Sequence, residues 1–99
     1  MCHRLTLDQL LRDVASAYVL ARAAASAAPT HEGLCDVRER QLRVARARLD
    51  GGLGTAAEVA RAEEALRAAR LVRDEARRSG ETARARLETL SAREREVAC

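Results

Sequence analysis

His31 and Cys35 stand four residues apart in "THEGLCDV", on one face of any helix drawn through them, and Cys2 and His3 adjoin near the start of the 99-residue chain. Imidazole nitrogen and thiolate sulfur are zinc ligands, and a closed zinc site takes four of them. Geometry separates the two pairs: in a straight helical arm, residues 3 and 31 lie about 42 Å apart. If the chain folds back at Pro29 instead, they fall at opposite ends of the first segment. His31 and Cys35 are therefore the candidate metal ligands, only two in number. The plainer reading of the pair is a polar patch at a helix kink beside a small buried thiol.

Other catalytic chemistry finds little to work with. Ser16, Ser26, Ser79 and Ser91 lack a His and Asp that the elements could bring to them. "GGLG" (Gly51 to Gly54) follows a helical pattern, whereas a phosphate loop follows a strand. The carboxylates are scattered along solvated helix faces, with no sheltered pair. The residues predict no enzyme and no cofactor. Three cysteines at wide spacing (Cys2, Cys35, Cys99) are not a disulfide framework. In a straight hairpin Cys99 returns near Cys2, where a terminal disulfide or a cross-link between chains is conceivable.

Composition then sets the scaffold. There are 22 alanines, one aromatic residue (Tyr18), one proline (Pro29) and no Phe or Trp. Aromatic side chains bury the most area apiece, so this chain is limited to thin, close helix-on-helix contact. A third of the residues are charged and nearly half apolar, the signature of long helices and coiled coils. The fold class expected is all-α. The net charge is +3, but acids interrupt the basic residues throughout, as in "RDEARRSGETARARLE". A nucleic-acid binder gathers its basic residues on one face, so no nucleic-acid partner is expected. "VASAYVLARAAASAAP" is broken by Arg22 and falls short of the roughly 20 apolar residues of a membrane span. Asp8, Arg12 and Asp13 occupy the place of a signal peptide's apolar region.

Apolar residues recur in steps of four and three at Leu7, Leu11, Val14, Tyr18, Ala21, Ala25 and Ala28, then at Cys35, Leu42 and Leu49. A second series runs through Val59, Ala62, Leu66, Ala69, Ala76, Ala83, Leu87, Leu90 and Val97, interrupted at Arg73, Gly80 and Glu94. A sustained period of about 3.5 marks a coiled-coil seam. Asp36 with Arg40, Glu39 with Arg43 and Glu63 with Arg67 are opposite charges one helical turn apart, each such pair adding about 0.2–0.5 kcal/mol.

Between the series, Asp50-Gly51-Gly52 ends a helix, since glycine takes the left-handed conformation that caps a helix C-terminus. Thr55-Ala56-Ala57-Glu58 restarts one as a capping box, in which the threonine hydroxyl accepts from the Glu58 N–H and the carboxylate reaches back. The flanking arms, 7–50 and 55–98, are equal in length, about 66 Å each if straight. An antiparallel helical hairpin with its tip at 51–54 is expected. Pro29, with Thr30 and Gly33 beside it, predicts a first arm kinked near 27–33 or split into two helices there.

With the hairpin drawn, the turn resembles a known pattern. Arg48-x-x-x-Gly52-Leu53-x-Thr55, followed by Glu58, Val59, Ala60-Arg61 and Ala62-Glu63, is similar to the hairpin tip of TolC-like outer-membrane efflux proteins. "DVASAY" (Asp13 to Tyr18) looks like the Ala-Tyr element of that family's descending helix. "LETLSA" (Leu87 to Ala92) is similar to its Leu-x-x-Leu-x-Gly, with Ala92 in place of glycine. The resemblance covers residues 13–92.

It implies an efflux and transport role without covalent chemistry. Three chains would form a homo-oligomer whose hairpins line a periplasmic tunnel anchored in the outer membrane. The tips would meet a membrane-fusion adaptor of an inner-membrane pump, with Arg48, Gly52, Leu53, Gly54 and Thr55 as the partner-contact residues. Departures accompany it: one hairpin where the family has two, no alternating apolar strands for a barrel, no visible export signal, and Gly51 where a valine is frequent. The chain would then be a fragment, a truncated product or half of a divergent member. Two other readings stand beside it. One is a small coiled-coil scaffold or oligomerisation protein, with a cytoplasmic location; the other is a His/Cys metal-binding protein.

Overall fold

Described over residues 4–97, the computed structural model has two helices and, among the described residues, no strand: α1, Arg4–Asp50, and α2, Ala56–Val97. They are 47 and 42 residues long and joined by the turn at 51–55. The chain is an all-α helical hairpin. It divides into two compact units, Met1–Ser26 with Arg77–Cys99, and Ala27–Ala76.

The turn-bearing unit is an antiparallel helix pair. Glu39 on α1 meets Arg70 on α2, and Arg46, one heptad further along α1, meets Glu63, one heptad back along α2. Its buried residues are Cys35, Leu42, Ala45, Leu66 and Ala69. In the other unit Leu10, Ala17 and Leu90 form the buried cluster, with Val14 and Leu87 packed against it. Gly80 is buried in the same unit, and a Cβ there would stand 3.0 Å from the Cβ of Ala24. The missing side chain is what brings the backbone this close to the facing alanine.

On α2 the expected series is buried or half-buried from Val59 to Leu90, the burial of Val97 lying outside the described residues, and the three apparent interruptions belong to it: Arg73 and Glu94 are half-buried and Gly80 is buried. On α1 the seam departs from the series at several positions. Leu10, Ala17 and Ala24 face inward where Leu11, Tyr18 and Ala25 were expected, and Ala28 and Leu49 are exposed, while Leu7, Val14, Ala21, Cys35 and Leu42 keep their places. Tyr18 is consequently 52% exposed. A seam of small residues lets the helices approach closely, and a tyrosine would hold them apart.

Helix α1 is continuous through Pro29. The missing N–H leaves the Ala25 carbonyl without its helical donor, but Ala25 and Pro29 are both exposed, so water can serve that oxygen. Thr30 lies inside the helix and does not cap a new one. The first helix starts at Arg4 and the second at Ala56, against the expected 7 and 55. Cys2, His3, Cys99 and the end of the expected arm at 98 lie outside the described residues.

Candidate docking tip

The turn is built from the end of α1 inward. The N–H of Gly52 donates to the Leu49 carbonyl at 3.0 Å, and the N–H of Leu53 donates to the Arg48 carbonyl at 2.8 Å. This pairing is a Schellman motif, with Gly52 as the left-handed residue. Its φ of 74° confirms the assignment. The N–H of Gly51 donates to Ala47 and that of Gly54 to Arg48, both at 3.0 Å. The turn is therefore stitched onto the last turn of α1.

Arg48 closes it a second time. Its carbonyl accepts from Leu53 and Gly54, while its guanidinium reaches over the turn and Nη2 donates to the Leu53 carbonyl at 3.1 Å. Its Nε stands 3.9 Å from Glu58 Oε2 on α2. Gly54 lies beneath this side chain: a Cβ there would be 3.0 Å from both Arg48 Cβ and Glu58 Oε2, and 3.2 Å from the Leu49 nitrogen. Arg48, Gly54 and Glu58 thus fit one another as a set.

Helix α2 begins as the capping box requires on one side, with the Thr55 hydroxyl accepting from the Glu58 N–H at 3.2 Å. The reciprocal half is replaced, because the Glu58 carboxylate is directed at Arg48. What the closed turn presents is Leu53, which is 75% exposed. Of the five residues expected to touch a partner, Leu53 offers an apolar surface, whereas Arg48, Gly54 and Thr55 are engaged in holding the turn. Gly52 supplies the φ. Glu58 was not among the expected tip residues; its opposite charge to Arg48, just across the glycines, was the available signal.

The flanks of the turn-bearing unit differ. Glu32, Glu39 and Arg46, seven apart on α1, each find an opposite charge on α2: Arg73 at 4.0 Å, Arg70 at 3.2 Å and Glu63 at 3.6 Å. The expected pairs Glu39 with Arg43 and Glu63 with Arg67 give way to these, and Arg67 pairs with Glu64. Arg73 also contacts Asp74 at 3.0 Å, and this hydrogen bond is the chief reason its guanidinium titrates above the ordinary arginine value. Elsewhere on this unit Leu34, Val37, Val44, Leu71 and Val72 are exposed.

His31 is half-buried and Cys35 is 1% exposed. No group of three or more His, Cys, Asp or Glu placed to hold a metal ion occurs among the described residues. No described helix is long and apolar enough to cross a membrane. No family model matches the chain, and neither a curated protein nor a solved structure shows significant similarity to it.

Proposed function

We propose that the chain is a helical-hairpin element of a TolC-like outer-membrane efflux component, contributing to the wall of a periplasmic export conduit and docking an adaptor protein with its tip. The observation that carries this reading is Leu53, an apolar side chain held out from a turn that its own hydrogen bonds fix. An exposed leucine on a loose loop is unremarkable. One on a turn closed by a Schellman motif and an arginine clasp loses little conformational freedom on binding, which favours affinity. The exposed Val37, Val44 and Leu71 would serve the side-by-side packing of hairpins that a homo-oligomeric conduit needs.

The test is photo-crosslinking in the native host, with a photo-reactive leucine analogue at position 53 and, separately, at position 71. The reading expects position 53 to capture an efflux adaptor identified by mass spectrometry, and position 71 to capture a like hairpin. Capture of cytoplasmic proteins alone at both positions would overturn it. The second reading, a coiled-coil scaffold without a transport role, draws on those same exposed side chains, and it predicts self-capture at 71 with no adaptor at 53. Genes for a pump and an adaptor beside the reading frame favour the first; their absence favours the second.

A further inference from the structure

We infer that Arg48 is a positioning residue for the tip: it governs docking through Leu53, by clasping that residue's peptide, and does not itself contact the partner. The inference rests on the docking reading for its consequence, but the clasp is independent of it.

Three observations converge on the clasp. The guanidinium donates across the turn to the Leu53 carbonyl at 3.1 Å, so the side chain grips the most exposed of the large apolar residues described. The backbone carbonyl of Arg48 accepts from the N–H groups of Leu53 and Gly54. Arg48 therefore holds Leu53 by both its N–H and its C=O. Thirdly, the guanidinium faces Glu58 at 3.9 Å, which ties the turn to the first turn of α2.

The planar fork matters here. One nitrogen serves Leu53 while another faces Glu58, and the shape is rigid. A lysine ammonium is a point charge on a flexible stem and does not reproduce such a two-sided arrangement. A partner that merely sensed positive charge at position 48 would accept lysine; a clasp would not.

Amide exchange of the full chain and of its Arg48→Lys and Arg48→Ala variants, followed by NMR, decides the point without any partner. The N–H groups of Leu53 and Gly54 should exchange about tenfold faster in both variants, as expected when one stabilising hydrogen bond is lost. Those of Leu42 and Leu66 should be unchanged. Unchanged exchange at 53 and 54 in Arg48→Ala would overturn the clasp. The photo-reactive leucine at position 53 then supplies the docking readout. Adaptor capture should fall to the same low level in Arg48→Lys and Arg48→Ala. Full capture by Arg48→Lys would show that charge, and not position, is what the partner reads. If the unaltered chain captures no adaptor, it is the docking reading that fails, and the exchange result still decides the clasp.

Discussion

Glu39 accepts a hydrogen bond from Arg70, thirty-one residues away on the other helix, at 3.2 Å. Arg43, a single helical turn along α1, is left without an ion pair among the described residues. The carboxylate lies beside the seam, where a cation from α2 approaches it as readily as one from its own helix. Because both partners are substantially solvated, the coupling is expected to be small, about 0.5 kcal/mol, within the range measured for exposed pairs. Reversal of either charge alone, Glu39→Arg or Arg70→Glu, should lower the thermal midpoint. The double reversal should recover most of the loss at low salt and less of it at high salt. A double-mutant cycle with no coupling at low ionic strength would contradict the cross-helix pair.

Two glycines inside the helices should respond oppositely to the same substitution. A Cβ at Gly33 meets nothing within 4 Å, so Gly33→Ala should stabilise the chain by about 0.5–1 kcal/mol through helix propensity. At Gly80 the new methyl would press on Ala24 at 3.0 Å, and Gly80→Ala should lose that gain or destabilise. Pairing it with Ala24→Gly should relieve the contact. Denaturant unfolding of the three variants checks this, and equal stabilisation at both positions would show that the helices are not in close approach there.

At the turn, the contributions of backbone shape and cap can be separated. Gly52→Ala forces an L side chain into the left-handed region and should cost about 1–2 kcal/mol. Thr55→Ala removes the hydroxyl that accepts from Glu58 and should cost about 1 kcal/mol. Leu53→Ala should be nearly neutral for stability, because so little of that side chain is buried. Chemical denaturation of each variant measures these costs. A large loss for Leu53→Ala would mean that the leucine covers the hairpin end and is not offered to anything else.

The elbow was the most legible part of the molecule, because Gly52 and Thr55 act through local backbone rules that spacing alone reveals. The α2 seam was legible as well, since its leucines leave one consistent face. On α1 apolar residues adjoin one another at these positions, so Leu10 and Leu11, or Ala17 and Tyr18, satisfy the period equally. Only the packing of the facing helix chooses between them. The charge pairs were misassigned for a related reason: sequence spacing displays a partner one turn away but hides one on the opposite helix. The reach of Arg48 over Gly54 depends on the turn already having closed.

That seam choice is itself testable. Leu10 is 7% exposed and Leu11 is 43% exposed. Leu10→Ala should therefore cost about 2 kcal/mol or more, at the low end of core truncations because the contact layer is thin. Leu11→Ala should cost well under that, as a surface change does. Equal losses would place the seam between the two residues, and a larger loss at Leu11 would restore the register read from periodicity.

The buried set also sets how well the chain stands alone. Among the described residues the buried apolar ones are four leucines, four alanines and one cysteine, and alanine contributes little of the burial that must offset the ordering of two long helices. Val37, Val44 and Leu71 remain on the surface of the turn-bearing unit, available to any chain that covers them. Helicity and the melting midpoint should therefore rise with protein concentration, with sedimentation reporting association over the same range. Val37→Glu combined with Leu71→Glu should remove that dependence and leave a less helical monomer at every concentration. A fully helical monomer whose melting is independent of concentration would show instead that the alanine seam suffices by itself.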